Sequence, residues 1–152
     1  MHEATTIQLP GKLEQWPIER LRPYERNPRT HSPEQVKKIA ASLREFGWTN
    51  PILVDRDAGV IAGHGRLLAA RELGIATVPV IELAHLTEAQ RRAYLLADNR
   101  LALDAGWDED LLAAELKALG ELNFDLSLIG FELDELHDLL LDETAEEVPA
   151  SG

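Results

Sequence analysis

A chain of 152 residues has the length of a single soluble domain, which runs to roughly 100 to 200 residues. Its 45% hydrophobic and 28% charged residues are ordinary for a globular protein, and no apolar run approaches the roughly 18 residues of a membrane-spanning helix. The absence of cysteine excludes disulfides, thiolate catalysis and Cys-based zinc sites together, and the first residues lack the basic-then-apolar pattern of a secretory signal, so the expected address is the cytoplasm. The net charge of −12 is unevenly placed. Residues 1–100 carry 14 Lys or Arg against 12 acids, whereas residues 101–152 carry one Lys against 15 acids. Only the first part can approach a polyanion at low cost.

Residues 1–17 contain Pro10, Gly11 and Pro17 without a sustained period and read as an arm that adds an edge strand. Ser32-Pro33-Glu34-Gln35 supplies an N-cap, a proline at the first helical position and a capping-box Gln; Val36, Ile39, Ala40 and Leu43 mark the apolar face, and Gly47 ends the helix. Pro51 to Val54 and Val60 to Ala62 flank a short turn-rich connection and predict a β-hairpin. Gly63-His64-Gly65 then breaks into a helix from about Arg66 to Leu73, closed by Gly74. Val78 to Ile81 is a further strand, whose Pro79 favours an edge or the strand start. Thr87-Glu88-Ala89-Gln90 opens a helix towards Asn99. Asp108 caps a helix that Gly120 terminates, and a last helix from about Glu132 to Leu141 puts Leu133, Leu136, Leu139 and Leu140 on one face. Glu143 to Gly152 has the composition of a linker or disordered tail. The expected fold is α+β: a small mixed sheet with packed helices over 18–104, followed by an all-helical acidic cap over 105–142. The cap's leucines must pack on the α/β body or on a second copy of the chain, which leaves a homodimer open.

The most informative stretch is Gly63-His64-Gly65-Arg66. A strand that ends in glycines and turns into a helix exposes free N–H groups where the helix dipole is positive, and this suits a phosphate. Arg66 adds a bidentate fork and His64 a donor whose charge varies near neutral pH. The competing reading is a tight turn with a solvated arginine. Asp98-Asn99-Arg100 offers one carboxylate and one amide for a hydrated Mg²⁺, with Arg100 meeting the same phosphates; alternatively Asn99 is the cap of a helix that ends there. Trp48, Thr49, Asn50 and Pro51 form a third candidate, in which Trp48 stacks on a base and Asn50 reads its edge, or Trp48 simply packs in the core. Arg20, Arg22, Arg26, Arg29, Lys37, Lys38 and Arg44 place seven positive charges against four negative over residues 19–45, either a track for DNA phosphates or a solvated face. The five histidines show no metal-ligand spacing, and no nucleophile elbow or P-loop occurs.

Taken in order, these segments resemble the ParB/sulfiredoxin-like superfamily, in particular its ParB-like N-terminal domain. Gly47 to Val54 is similar to that family's G-x-x-Q-P-I-x-V segment with Asn50 for Gln, Gly63 to Ala69 to its G-E-R-R-x-x-A segment with His64-Gly65 for Glu-Arg, and Asp98-Asn99 to its Glu-Asn pair. The resemblance covers roughly residues 18–104. It implies a nucleotide site for CTP or ATP with Mg²⁺, with Trp48, Thr49, Asn50 and Pro51 on the base side, Gly63, His64, Gly65, Arg66, Asn99 and Arg100 on the phosphates, and Asp98 with Asn99 at the metal. His64 stands where sulfiredoxins need Cys, which excludes that reductase chemistry, and Ala102 stands where partition proteins place an arginine. The Gly-His-Gly-Arg turn and the Ala-Asp-Asn-Arg segment are similar to a phage- and plasmid-associated branch often found ahead of DNA methyltransferase domains; no methyltransferase motif is present here. Three functions are therefore in play: a nucleotide-binding module that regulates association with DNA or a DNA methyltransferase, a metal-dependent nuclease or nucleotide-using phosphotransferase, and a ligand-free structural adaptor.

Overall fold

Ser32 caps the first helix in the computed structural model as its sequence requires, its hydroxyl accepting from the Gln35 N–H with Pro33 at the first helical position. The structure describes residues 7–25, 27 and 29–147, with side chains as far as Leu140. Four strands, β1 (Leu13–Pro17), β2 (Ile52–Val54), β3 (Val60–Ala62) and β4 (Thr77–Glu82), are joined with five helices, α1 (Pro33–Phe46), α2 (His64–Leu73), α3 (Glu88–Asp104), α4 (Glu109–Glu121) and α5 (Leu133–Glu147). The sheet order is β1-β4-β2-β3. β1 runs antiparallel to β4, β4 parallel to β2, and β2 antiparallel to β3, so the sheet is mixed as expected.

Strand alternation divides the core between the two faces of the sheet. Ile52, Val54, Val60, Val78 and Val80 point to one face, where Leu67 and Ala70 of α2 and Trp16 of β1 close over them. Ile61 and Ile81 point to the other, against Leu95 and Tyr94 of α3. Helix α2 is buried on two sides, because its Ala69 and Leu73 also receive Val36, Ile39, Ala40 and Leu43 of α1. A helix covered on both sides needs no single apolar stripe, and α2 lacks one. The layers are α1, α2, sheet and α3.

Several boundaries depart from expectation. β4 lies between two strands rather than at an edge, because the arm supplies β1 to cover it. Proline is tolerated since Pro79 pairs with Gln15 of β1, while β2 pairs with β4 only from Val80 onward. Helix α2 starts at His64 rather than Arg66, after Gly63 takes a left-handed conformation with φ 101°. Helix α3 continues past Asn99 to Asp104, so Asn99 is not a helix cap; Arg100-Leu101-Ala102-Leu103 is a run of strong helix formers. Helix α4 passes Gly120 by one residue, and Asn123 takes the positive φ in its place. Helix α5 runs to Glu147, beyond the predicted end at Leu141, and residues 148–152 lie outside the described residues.

The chain divides into two compact units, residues 1–102 and 103–152. In the second, Ala113 and Leu116 of α4 and Leu136 of α5 are buried, whereas Leu111, Leu122 and Leu133 remain exposed. The Trp107 and Phe131 rings meet in a tilted contact, centroids 5.8 Å apart, within this unit. Among the described residues no helix is long and apolar enough to cross a membrane.

Candidate functional site

β2 and β3 are antiparallel, so the segment entering β2 and the turn leaving β3 meet at the same end of the sheet. This alone brings Thr49 and Asn50 beside Gly63, His64, Gly65 and Arg66. Helix α1 forms one wall through Gln35, Ile39 and Ser42, and α3 supplies Asp98 and Asn99. All of them line one cleft of about 310 Å³ inside the first unit. The turn can be this tight because residue 65 lacks a side chain: a Cβ there would lie 2.6 Å from Ile39 Cδ1 and 3.1 Å from His31 Cε1. At Gly63 a Cβ would meet both Arg66 and Ile52 at 3.1 Å, in a backbone conformation that L side chains rarely adopt.

Arg66 Nη2 donates to Pro51 O at 3.2 Å, tying the turn to the segment before β2. Its Nε is buried with no hydrogen-bond partner, a donor still to be matched. Burial pushes the guanidinium below its ordinary pKa, and the negative charge of Asp98 opposes that. Asp98 also helps burial to raise the phenol of Tyr94, so this exposed carboxylate is felt on both sides of it. Asn99 Oδ1 accepts from Arg29 Nη1 at 2.7 Å and its Nδ2 donates to Leu95 O at 2.9 Å. With both ends of Asn99 engaged, Asp98 offers the freer oxygens for a cation.

His64 differs from expectation. Its Nε2 accepts the Tyr24 N–H at 3.3 Å, and burial together with the nearby His31 lowers its pKa to about 4. The ring is therefore neutral at pH 7, with the proton on Nδ1, instead of titrating there. His31 itself bonds through Nδ1 to Gln35 Oε1 at 2.8 Å.

Of the expected base-side residues, Thr49 and Asn50 line the cleft. Pro51 contributes its carbonyl to Arg66. Trp48 instead packs against the main core and donates to Asn50 O at 2.6 Å, which shapes the segment without facing the cleft. Arg100 is not among the lining residues. The basic run is dispersed: Arg20 lies over the Trp16 ring at 3.6 Å, Lys37, Lys38 and Arg44 sit on α1, Arg22 borders a separate groove with Arg92, and Arg26 falls outside the described residues. Arg29 leaves that run for the cleft. Sequence reasoning missed Asn27, His31 and Gln35 as cleft residues. The available clue is the sequence Asn27-Pro28-Arg29 just ahead of the α1 cap.

The fit to a nucleotide is favourable. Two arginines and one aspartate line the cleft, an unmatched N–H is present, and Gly63 and Gly65 line it without side chains, Gly63 partly exposed and Gly65 buried. Mg²⁺ would rest on Asp98 and the ligand's own phosphates, since among the described residues no group of three His, Cys, Asp or Glu is placed to hold a metal.

Residues 3–99 match the ParB N-terminal domain and residues 110–151 the ParB-methyltransferase HTH domain, which overlies the acidic helical part. The ParB-like nuclease domain-containing protein YnaK of Escherichia coli (strain K12) is 50% identical over 76 residues, spanning 50% of this chain and 87% of that one. A probable chromosome-partitioning protein ParB of Rickettsia bellii (strain RML369-C) is 34% identical over 65 residues, 42% of this chain but 23% of that protein. Among solved structures, the C-terminally truncated chromosome-partitioning protein ParB from Caulobacter crescentus, complexed with CTP-gamma-S, aligns with a TM-score of 0.70 at 25% identity over 86% of this chain and 77% of that one. By sequence over most of its first unit and by the α+β architecture built there, the chain belongs to the ParB N-terminal domain family.

Proposed function

We propose that the chain is a nucleoside-triphosphate-binding module, taking CTP or ATP with Mg²⁺, whose occupancy adjusts its association with DNA or with a DNA-modifying partner such as a methyltransferase. One observation carries this reading: three segments far apart in sequence, 49–50, 63–66 and 98–99, line a single cleft in which a buried arginine N–H lacks a partner. The base is assigned to the Thr49 and Asn50 side, the phosphates to the Gly63–Arg66 turn, and the cation to Asp98. The CTP analogue held by the Caulobacter relative supports the same ligand class. Calorimetric titration with CTP, ATP, GTP and UTP in Mg²⁺ tests it. Saturable binding of one of them is expected, and no binding of any would end the reading.

The DNA part rests on the charge of the first unit and predicts weak, sequence-tolerant binding that falls steeply with salt. A chain ending at Leu103 should bind duplex DNA more tightly than the full chain, because it sheds most of the acidic residues. Equal affinity, or none at low salt, would move the association to a protein partner in the cytoplasm. A nuclease would have to work with Asp98 as the cleft's one carboxylate among the described residues. Mg²⁺-dependent cleavage of plasmid DNA, lost in Asp98→Ala, would favour that activity over regulation.

A further inference from the structure

Helix α4 has two apolar sides, and the second unit buries one of them. Its buried residues are Ala113 and Leu116, and α5 packs against it. Leu111, Glu115, Ala118 and Leu122, the last closing the helix, run down a different side at steps of four, three and four, and all of them are exposed. Leu111 keeps 66% and Leu122 76% of its surface in water. Such steps place side chains in one row, here about 16 Å long, and this is the spacing with which one helix receives another. Trp107, just ahead of α4, and Leu133, at the start of α5, add further exposed apolar surface to the same unit.

Charge decides what can cover the row. Residues 101–152 carry one Lys against 15 acids, and α5 alone has seven acids and no Lys or Arg. Although this part matches a helix-turn-helix domain, DNA is a poor occupant, because such a domain lays its second helix between phosphates. A second copy is disfavoured on the same ground. Row against row would bring two sets of carboxylates together, with a Glu115 inside each. Glu115 interrupts an otherwise apolar row, and a carboxylate that loses its water on docking requires a cation in exchange. Asp108 at the head of the row and Glu121 beside its end extend that requirement. A helix with an apolar seam and Lys or Arg along its margins meets both demands, since their stems lie along apolar surface while their charged heads reach the acids.

We propose that the outer side of α4 is a docking site for a cationic amphipathic helix of a partner protein, seated on Leu111, Ala118 and Leu122 and held in register by a Lys or Arg against Glu115. The site shares no residue with the cleft. The test is titration of the full chain with three synthetic helical peptides: a leucine seam flanked by lysine, the same seam flanked by glutamate, and the lysine peptide with its seam leucines changed to serine. The lysine–leucine peptide is expected to bind at least about tenfold more tightly than either control. Leu111→Gln combined with Leu122→Gln, which keeps the helix propensity, should abolish that advantage without changing the melting temperature. Glu115→Lys should shift the preference by about tenfold towards the glutamate peptide. Equal binding of the serine-seam peptide would reduce the face to a collector of counter-ions and overturn the proposal. Binding indifferent to Leu111, Leu122 and Glu115, or no binding, would do the same. So would a lower melting temperature in the double Gln variant, since the chain itself would then cover the row. A wild-type dimer in sedimentation that the same variant separates would assign the row to a second copy and equally end the proposal.

Discussion

The two units of the molecule solve different problems. The first closes a four-stranded sheet between helices on both faces, and its core draws on every strand and on α1, α2 and α3. The second is helical, with Ala113, Leu116 and Leu136 as its buried apolar residues among those described, and it carries most of the chain's excess acid. A layered core holds side chains from distant segments at fixed positions, and there the cleft is found. The second unit packs α4 against α5, two helices close in sequence.

The largest expected effect separates the units. Leu116→Ala should destabilise the second unit by about 2 to 5 kcal/mol, the range for truncating a buried leucine, and leave nucleotide affinity in the first unchanged. Scanning calorimetry paired with titration checks this, and a fall in affinity that tracks the melt would show that the contrast is overdrawn. Next in size, Arg66→Ala should weaken triphosphate binding by about 1.5 to 3 kcal/mol with little change in Tm, since it removes a charged hydrogen-bond donor. Unaltered affinity would take Arg66 out of the site.

Gly65→Val sharpens the contrast from inside the first unit. A side chain there runs into Ile39 and His31, so a loss of about 1 to 3 kcal/mol in stability is expected, with Gly65→Ala milder. Val tolerated as well as wild type would mean that α1 and α2 can separate freely. The smallest effect is a pH dependence. The folded His64 protonates at about 4, whereas an unfolded histidine does so near 6.5. Its stabilising contribution is therefore complete above pH 6.5 and is lost as pH falls towards 4, through rupture of the Tyr24 contact. Discounted for the solvent that still reaches the ring, this amounts to about 1 kcal/mol. Melting at pH 7 and pH 4.5 should show a smaller difference in His64→Gln than in wild type; an identical difference would assign the titration elsewhere.

Local signals carried most of the fold. Ser32, Thr87 and Asp108 each cap a helix or its first turn as their spacing predicts, because a side-chain oxygen and a free N–H three residues on are a purely local match. Asn99 shows where local reading fails. As a residue that tolerates a left-handed cap it was a sensible helix end, but its side chain is recruited by Arg29, a partner that no local window contains. His64 fails for the same kind of reason, since its burial and its bond to Tyr24 depend on a loop 40 residues upstream. The three cleft segments were legible individually; their meeting followed from strand order, which sequence period does not encode. Arg29 was hidden among other arginines whose chemistry is identical and whose positions are not.

The pairing of β1 with β4 bears on how the protein is made. Leu13 is aligned with Ile81, so β1 waits until nearly the whole first unit has been synthesised before it finds its partner. Such distant pairings are slow to close, and until then the β1-facing edge of β4, with the apolar Val78 and Val80 in its sequence, is open to any other extended chain. Deleting the residues up to Pro17 should therefore show itself first as aggregation during expression, before any defect in the cleft is measured.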